Sequence, residues 1–388
     1  MTRQSKEQET ILKGGWDWID NKGAIKDFMK EGVTRTKTWD TLYTLGMRGL
    51  GDVASPTSNE TVEEEIVDWQ RSTLSDVLEK PITDIQQTMV LFDVCNLSRG
   101  LSPLTNYLQE LGSYYQYGMQ LPEDIPLIFP DDNAGSLMRL PIANDTNRSG
   151  GFGIYYHIDM NAPPRCYKWI NTIQNIKTWH QLKLGYEKNA SKIWMVNVGD
   201  IKPLEIPTAH IMAMAYDITQ FQTVESTSEW MMKWAARQFG PSVANVTNAI
   251  LTEYGRLIIR RKYEQLSTTP FAFDVVNYDE AESSLNDWLN LVPITQAAYD
   301  SLDPVTATSF FEIVLHPVLA GSIVENLYEK YTRNQLYAKQ KRTSTNVMGL
   351  QVLSLFAQDA AITQRFHTIL NGKWNHMMDQ PHIGYTTW

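Results

Sequence analysis

Along the first half of the chain, short β-branched or aromatic runs alternate with stretches of helical period, and from about residue 225 only the helical period remains. The clearest strand candidates are TLYTLGMRG (41–49), DIPLIFPDD (124–132), GFGIYYHID (151–159) and SKIWMVNVGD (191–200), all rich in types that suit a pleated, buried strand. A helix is expected over VEEEIVDWQRSTLSDVLEK (62–80), acidic in its first turn and basic at its end, as the helix dipole favours. Further on, SEWMMKWAARQF, SVANVTNAILTEYGRLIIRRKYEQL, EAESSLNDWLNLV and ATSFFEIVLHPVLAGSIVENLYEKYTRNQLYAKQ read as amphipathic helices, with Arg260-Arg261-Lys262 on solvated faces. This order predicts an α/β part over 1–222, a helical bundle over 223–370, and a structured tail over 371–388 that packs back on the body.

Each predicted strand runs out into polar groups: Arg48 and Asp52, then Asp131 and Asp132, then His157 and Asp159, then Asn197 and Asp200. Both a closed (β/α) barrel and an open parallel sheet gather ligand-binding groups at these ends, so the pattern predicts a site under either architecture. His157 and Asp159, two residues apart, fall on one side of their strand end. The loop that follows adds Arg165, Tyr167, Lys168 and Trp169, a mixture that solubility alone does not require. Glu205 follows the last strand. Paired carboxylates at strand ends suit glycoside hydrolysis, in which one protonated acid serves the leaving oxygen and one carboxylate acts as base or nucleophile. Any one of these aspartates serves equally well as a cap or turn residue, and 131–135 reads equally well as an ordinary turn. The hydrolytic reading belongs to the set.

Composition narrows the partners. The 388 residues are 43% hydrophobic and carry a net charge of −10, which excludes nucleic acid or an anionic membrane as the main partner. No run of about 20 apolar residues predicts a membrane span, and the first ten residues do not read as a signal peptide. Two cysteines make no disulfide scaffold, whereas six Asn-x-Ser/Thr sequons point weakly to a secretory history. Twelve tryptophans and 18 tyrosines supply core, and faces on which sugar rings stack. There is no phosphate-cradling glycine loop, zinc cluster or nucleophile elbow, so no cofactor or metal is expected.

The blocks GMRGLGD (46–52), PDDNAG (130–135), GGFGIYYHIDMNAPPRCYKWINT (150–172), IWMVNVGDIKPLE (193–205), YGRLIIRRKYE (254–264), LHPV (315–318), NQLYAKQ (334–340) and GKWNHMMDQPHIGYTTW (372–388) resemble, in order, those of glycoside hydrolase family 115. The resemblance implies an enzyme that releases glucuronic acid or its 4-O-methyl ether from xylan by inversion, on a partial TIM-like (β/α) barrel followed by a helical bundle. It implies glucuronoxylan or aldouronic acid oligosaccharides as substrate, an extracellular location, and allows a homodimer. Asp159 and Glu205 are the expected catalytic carboxylates, with Asp131 and Asp132 as alternatives. Arg48, Arg165, Lys168 and Lys202 are the expected partners of a uronate carboxylate, and Asp52, His157, Tyr167, Trp169 and Asn197 complete the expected wall. Met160-Asn161-Ala162 depart from the family's Tyr-Val-Gly-Gly, and the family's amino-terminal domain, first barrel strands, His-His-Glu segment and carboxy-terminal β domain have no counterpart here. The sequence therefore also supports a catalytically impaired carbohydrate-binding remnant.

Overall fold

The computed structural model describes residues 15–49, 55, 57–92, 111–132, 135–142, 145, 148–159, 169–260 and 273–383. These form two compact units, one of residues 1–157 with 184–196 and one of 158–183 with 197–388.

The first unit carries the strands. Helix α1 (Trp18–Arg35) precedes β1 (Tyr43–Leu45), followed by α2 (Glu60–Leu78), β2 (Gln87–Val90), α3 (Leu111–Gln116), β3 (Leu127–Pro130) and β4 (Phe152–His157). After α4 (Asn175–Glu187), β5 (Ile193–Asn197) completes a five-stranded sheet in the order β1-β2-β3-β4-β5. The pairs β1 with β2, β2 with β3 and β3 with β4 are parallel. Each new strand is added on the same side, with no reversal of order, which is the winding of a barrel and not of a doubly wound sheet. The architecture is thus a partial (β/α) barrel, as expected.

Helix α2 starts where Asn59 Oδ1 accepts from the Val62 amide at 3.0 Å. It stops at Leu78 because Glu79 turns into the left-handed region at φ 56°, so the basic end predicted at Lys80 lies beyond the helix. At the opening ends of the strands, Arg71 on α2 holds Asp124 through two bonds of 2.9 and 2.8 Å and reaches Gln87 at 2.8 Å. That end of a barrel serves stability. On the sheet face, a Cβ at Gly185 would lie 2.3 Å from Ile154 Cδ1, so glycine lets α4 seat against β4.

The second unit is helical: α5 (Glu205–Tyr216), α6 (Glu225–Phe239), α7 (Pro241–Ile258), α8 (Glu280–Asp300), α9 (Pro304–Phe310), a π-helical turn (Phe311–Leu315), α10 (His316–Lys339) and α11 (Thr345–Gly372). Trp234, Trp288, Phe310, Phe311 and Phe366 lie in one continuous core. The segment 304–339 is long and apolar enough to cross a membrane, but most of it is buried inside this unit, as the core helix of a globular fold would be.

Candidate functional site

In the strand unit, the site is built at the closing ends of β3 and β4. Asp131 follows β3, and its side chain is fully sealed from solvent. Its Oδ2 accepts the backbone amides of Gly135 at 3.1 Å and His157 at 3.0 Å, while Oδ1 lies 2.6 Å from His157 Nδ1. A carboxylate at Nδ1 fixes the proton of a neutral imidazole there and leaves Nε2 with the lone pair. Asp132 closes the turn, its Oδ1 accepting from the Ser136 amide at 2.9 Å while its own amide donates to the Ser136 carbonyl at 2.9 Å. The ordinary-turn reading of 131–135 therefore describes Asp132, whereas Asp131 also orients an imidazole.

A file of side chains in contact links the ends of β1, β2 and β4. The Arg48 guanidinium, after β1, lies 4.6 Å from the centre of the Phe92 ring, after β2. Phe92 meets Tyr155 edge-on at 5.6 Å, and Tyr155 lies 4.5 Å from the His157 ring. The segment bearing Arg48 is held from below, where Glu63 accepts the Met47 amide at 3.1 Å and the Ser58 hydroxyl at 2.7 Å. Burial pushes the Glu63 carboxyl up to about 7, its two hydrogen bonds only partly opposing this.

In the helical unit, Asp159 is buried, and the amides of Ile158 and Asp159 both donate to the Asn197 carbonyl at 3.1 Å. Gly199 sits at φ +66°, and a Cβ there would fall 1.9 Å from Asp159 Oδ2, so only glycine lets this backbone approach the carboxylate. Glu205 opens α5. Lys202 Nζ lies 2.8 Å from Glu205 and 2.6 Å from Glu312 on the π-helical turn, and 4.6 Å from the centre of the Trp374 ring. Lys202 and Glu312 are nearly sealed from solvent, whereas Glu205 keeps 27% of its side chain exposed. The cation thus balances two carboxylates, of which Glu205 is the one that water reaches.

The tail joins the same unit. His382 places Nε2 at 3.0 and 3.1 Å from the two oxygens of Asp359 and Nδ1 at 2.9 Å from the Gln380 carbonyl. Trp169 stacks on that ring at 3.7 Å. Both ring nitrogens of His382 are thus engaged, one by the Asp359 carboxylate and one by a backbone carbonyl. His316, one turn beyond Glu312, is held far down at about 3 by burial and by the positive charges of His382, His367, Arg365 and Lys202.

The structure thus joins Asp131 with His157, and Lys202 with Glu205, in direct contacts, ties Asp159 to Asn197 through backbone, and sets Trp169 on His382. Asp52, Arg165, Tyr167 and Lys168 lie outside the described residues. Sequence reasoning passed over Glu312, Asp359, His382 and Trp374. The signal for Glu312 is a lone carboxylate inside the apolar run FFEIVL, which a buried helix tolerates only beside a cation.

The family model for glycosyl hydrolase family 115 matches residues 1–265. Among solved structures, one described as a novel family GH115 4-O-methyl-α-glucuronidase, BtGH115A, with specificity for decorated arabinogalactans superposes with a TM-score of 0.81 at 26% identity. The match covers 96% of this chain and 48% of that one, so the chain spans about half the length of that relative. A comparison with curated proteins finds no match.

Proposed function

Because the chain belongs to glycosyl hydrolase family 115, we propose that it acts in releasing glucuronic acid or its 4-O-methyl ether from a decorated polysaccharide by inversion. Glucuronoxylan is the substrate that the family resemblance implies, and decorated arabinogalactans are the class named for the solved relative. The observation that carries the proposal is the Lys202 network. It presents Glu205, a carboxylate opening the helix after β5, with a cation on one side and water on the other. In an inverting reaction one carboxyl gives a proton to the leaving oxygen while the other activates a water on the opposite face of the sugar. Glu205 and Asp159 are assigned to this pair. Within the strand unit, Asp131 is assigned the role of orienting His157.

The test is uronic acid release from glucuronoxylan and from a glucuronidated arabinogalactan, with the anomer formed first followed by proton NMR. Initial appearance of the β-anomer, and its loss in Glu205→Gln, is the expected result. The α-anomer first would overturn inversion. Absence of release from both polymers by a folded chain would overturn the activity.

A further inference from the structure

Between Asp303 and Glu325 the chain carries one carboxylate, Glu312, one imidazole, His316, and no lysine or arginine. Burial and nearby positive charges hold His316 down at about 3, so it stays neutral near pH 7 and brings no cation to its own helix. Phe310, Phe311, Val314 and Leu315, on either side of Glu312, are sealed from solvent, and the Glu312 side chain is itself only 7% exposed. A carboxylate in such a run is costly unless a cation reaches it, whereas an apolar residue would fill the place without that cost. Core packing therefore gives no reason for a charge here.

The cation comes from outside that helix. Lys202 Nζ lies 2.6 Å from Glu312 Oε2, 2.8 Å from Glu205 Oε1 and 4.6 Å from the centre of the Trp374 ring. An ammonium has three N–H donors, so two carboxylates and an aromatic face account for all its directions. Paired with Glu205 alone, three positions away in sequence, a lysine on its flexible stem would hold no fixed geometry. Glu312 supplies the fixed end, because it sits on the π-helical turn (Phe311–Leu315) among sealed side chains. Turns of this kind recur at functional sites. Lys202 engages Oε1 of Glu205, which leaves Oε2 for proton transfer.

We propose that Glu312 is a positioning residue, which fixes the Glu205 carboxyl for the reaction by anchoring Lys202 against it. This role rests on the proposed function for the part that Glu205 plays, and on the Lys202 contacts alone for the hold that Glu312 has on it. Nearly sealed from solvent, Glu312 acts without touching the sugar. Its loss should therefore appear in kcat and not in KM.

Two measurements on the whole chain test this. In Glu312→Gln, kcat for uronic acid release from glucuronoxylan should fall at least about tenfold while KM stays within about twofold, since misplacing a reacting group by roughly 1 Å costs on the order of a hundredfold in rate. The same substitution made in Glu205→Gln should cost no further activity, because the group that it positions is already gone. A merely structural residue would instead lower both backgrounds by the same factor. The second measurement needs no activity. In the chain labelled with lysine-15N, the Lys202 ammonium signal is assigned by its loss in Lys202→Arg. Its protons should exchange with water at least about tenfold more slowly than those of surface lysines, and Glu312→Gln should remove that protection. Fast exchange in the unchanged chain, or protection that survives Glu312→Gln, would overturn the inference. So would an unchanged kcat, or equal losses in both backgrounds, in a chain that releases uronic acid. A folded chain that releases nothing overturns the proposed function, and ammonium exchange then decides the hold of Glu312 on Lys202 by itself.

Discussion

Glu63 in the strand unit and His210 and His316 in the helical unit are all sealed from solvent, yet pH acts on them in opposite senses. Burial favours the neutral form of an acid and of a base alike. Glu63 rises from 4.5 to about 7, whereas His210, pressed between Phe221 and Trp230, falls from 6.5 to about 3 purely through burial. His316 falls to about 3 with help from neighbouring cations. Each unit has therefore placed its costly group where structure is being held. Glu63 clamps the segment after β1, and His316 sits one turn beyond Glu312 in the helix that anchors Lys202. Positioning in the strand unit comes from carboxylates that accept backbone amides, and in the helical unit from cations shared among carboxylates.

The largest effect that would break this division is catalytic. If Glu205 is a reacting carboxylate and Asp131 only orients His157 within its own unit, Glu205→Gln should reduce sugar-acid release by about a thousandfold. Asp131→Asn should cost only about tenfold, but should lower unfolding free energy by about 2 kcal/mol because a buried charge-assisted bond is lost. Steady-state release and denaturant unfolding on the same preparations check both. A larger catalytic loss in Asp131→Asn would reverse the roles.

Next in size is the acid limb of stability. A histidine whose folded value is depressed contributes fully above its unfolded value, here 6.5, and its contribution fades as pH falls toward about 3. Each of the two should cost on the order of 4 kcal/mol across that window. His210→Phe should flatten the helical unit's loss below pH 6, read by hydrogen exchange at α5 and α6. An unchanged acid limb would show that His210 does not stay neutral in the fold.

The opposite limb belongs to Glu63. Its folded value is raised, so the strand unit is most stable below the unfolded value of 4.5 and weakens as pH rises to about 7. Glu63→Gln should gain about 3 kcal/mol at pH 8. The introduced amide keeps an acceptor for Met47 and can donate to Ser58. Exchange at α2 and β1 should slow in this variant at pH 8 and not at pH 4. A gain at both pH values would trace the effect to something other than charge.

Among the described residues, four of the five strands were legible because β-branched and aromatic types dominate their runs, as in the IYY of β4. The fifth, β2, was not. Its first two residues, Gln87 and Thr88, are polar yet buried, with Thr88 donating to the Pro126 carbonyl at 3.0 Å and Gln87 held by Arg71 at 2.8 Å. A strand whose polar groups are satisfied in this way carries no hydrophobic period to read. The site was legible as a set of strand-end groups, but not as pairings. Nothing near Lys202 in sequence announces Glu312, 110 positions later, which pairs with the same ammonium group as Glu205.

The smallest effect sharpens the contrast between the two kinds of positioning. Helix α2 depends on a side-chain cap, Asn59, whereas α6 and α7 begin with no side-chain cap at Val224 and Gly240. The difference follows from what each helix start must hold. Glu63 lies in the first turn of α2, so fraying there would release the clamp on Met47, while α6 and α7 are fixed along their length by the aromatic core. Asn59→Ala should therefore cost about 1 kcal/mol. The loss should be confined to exchange at the start of α2 and in the segment after β1, with α6 and α7 unaltered. A uniform loss across both units would mean that the cap supports global stability and does not locally hold the segment that carries Arg48.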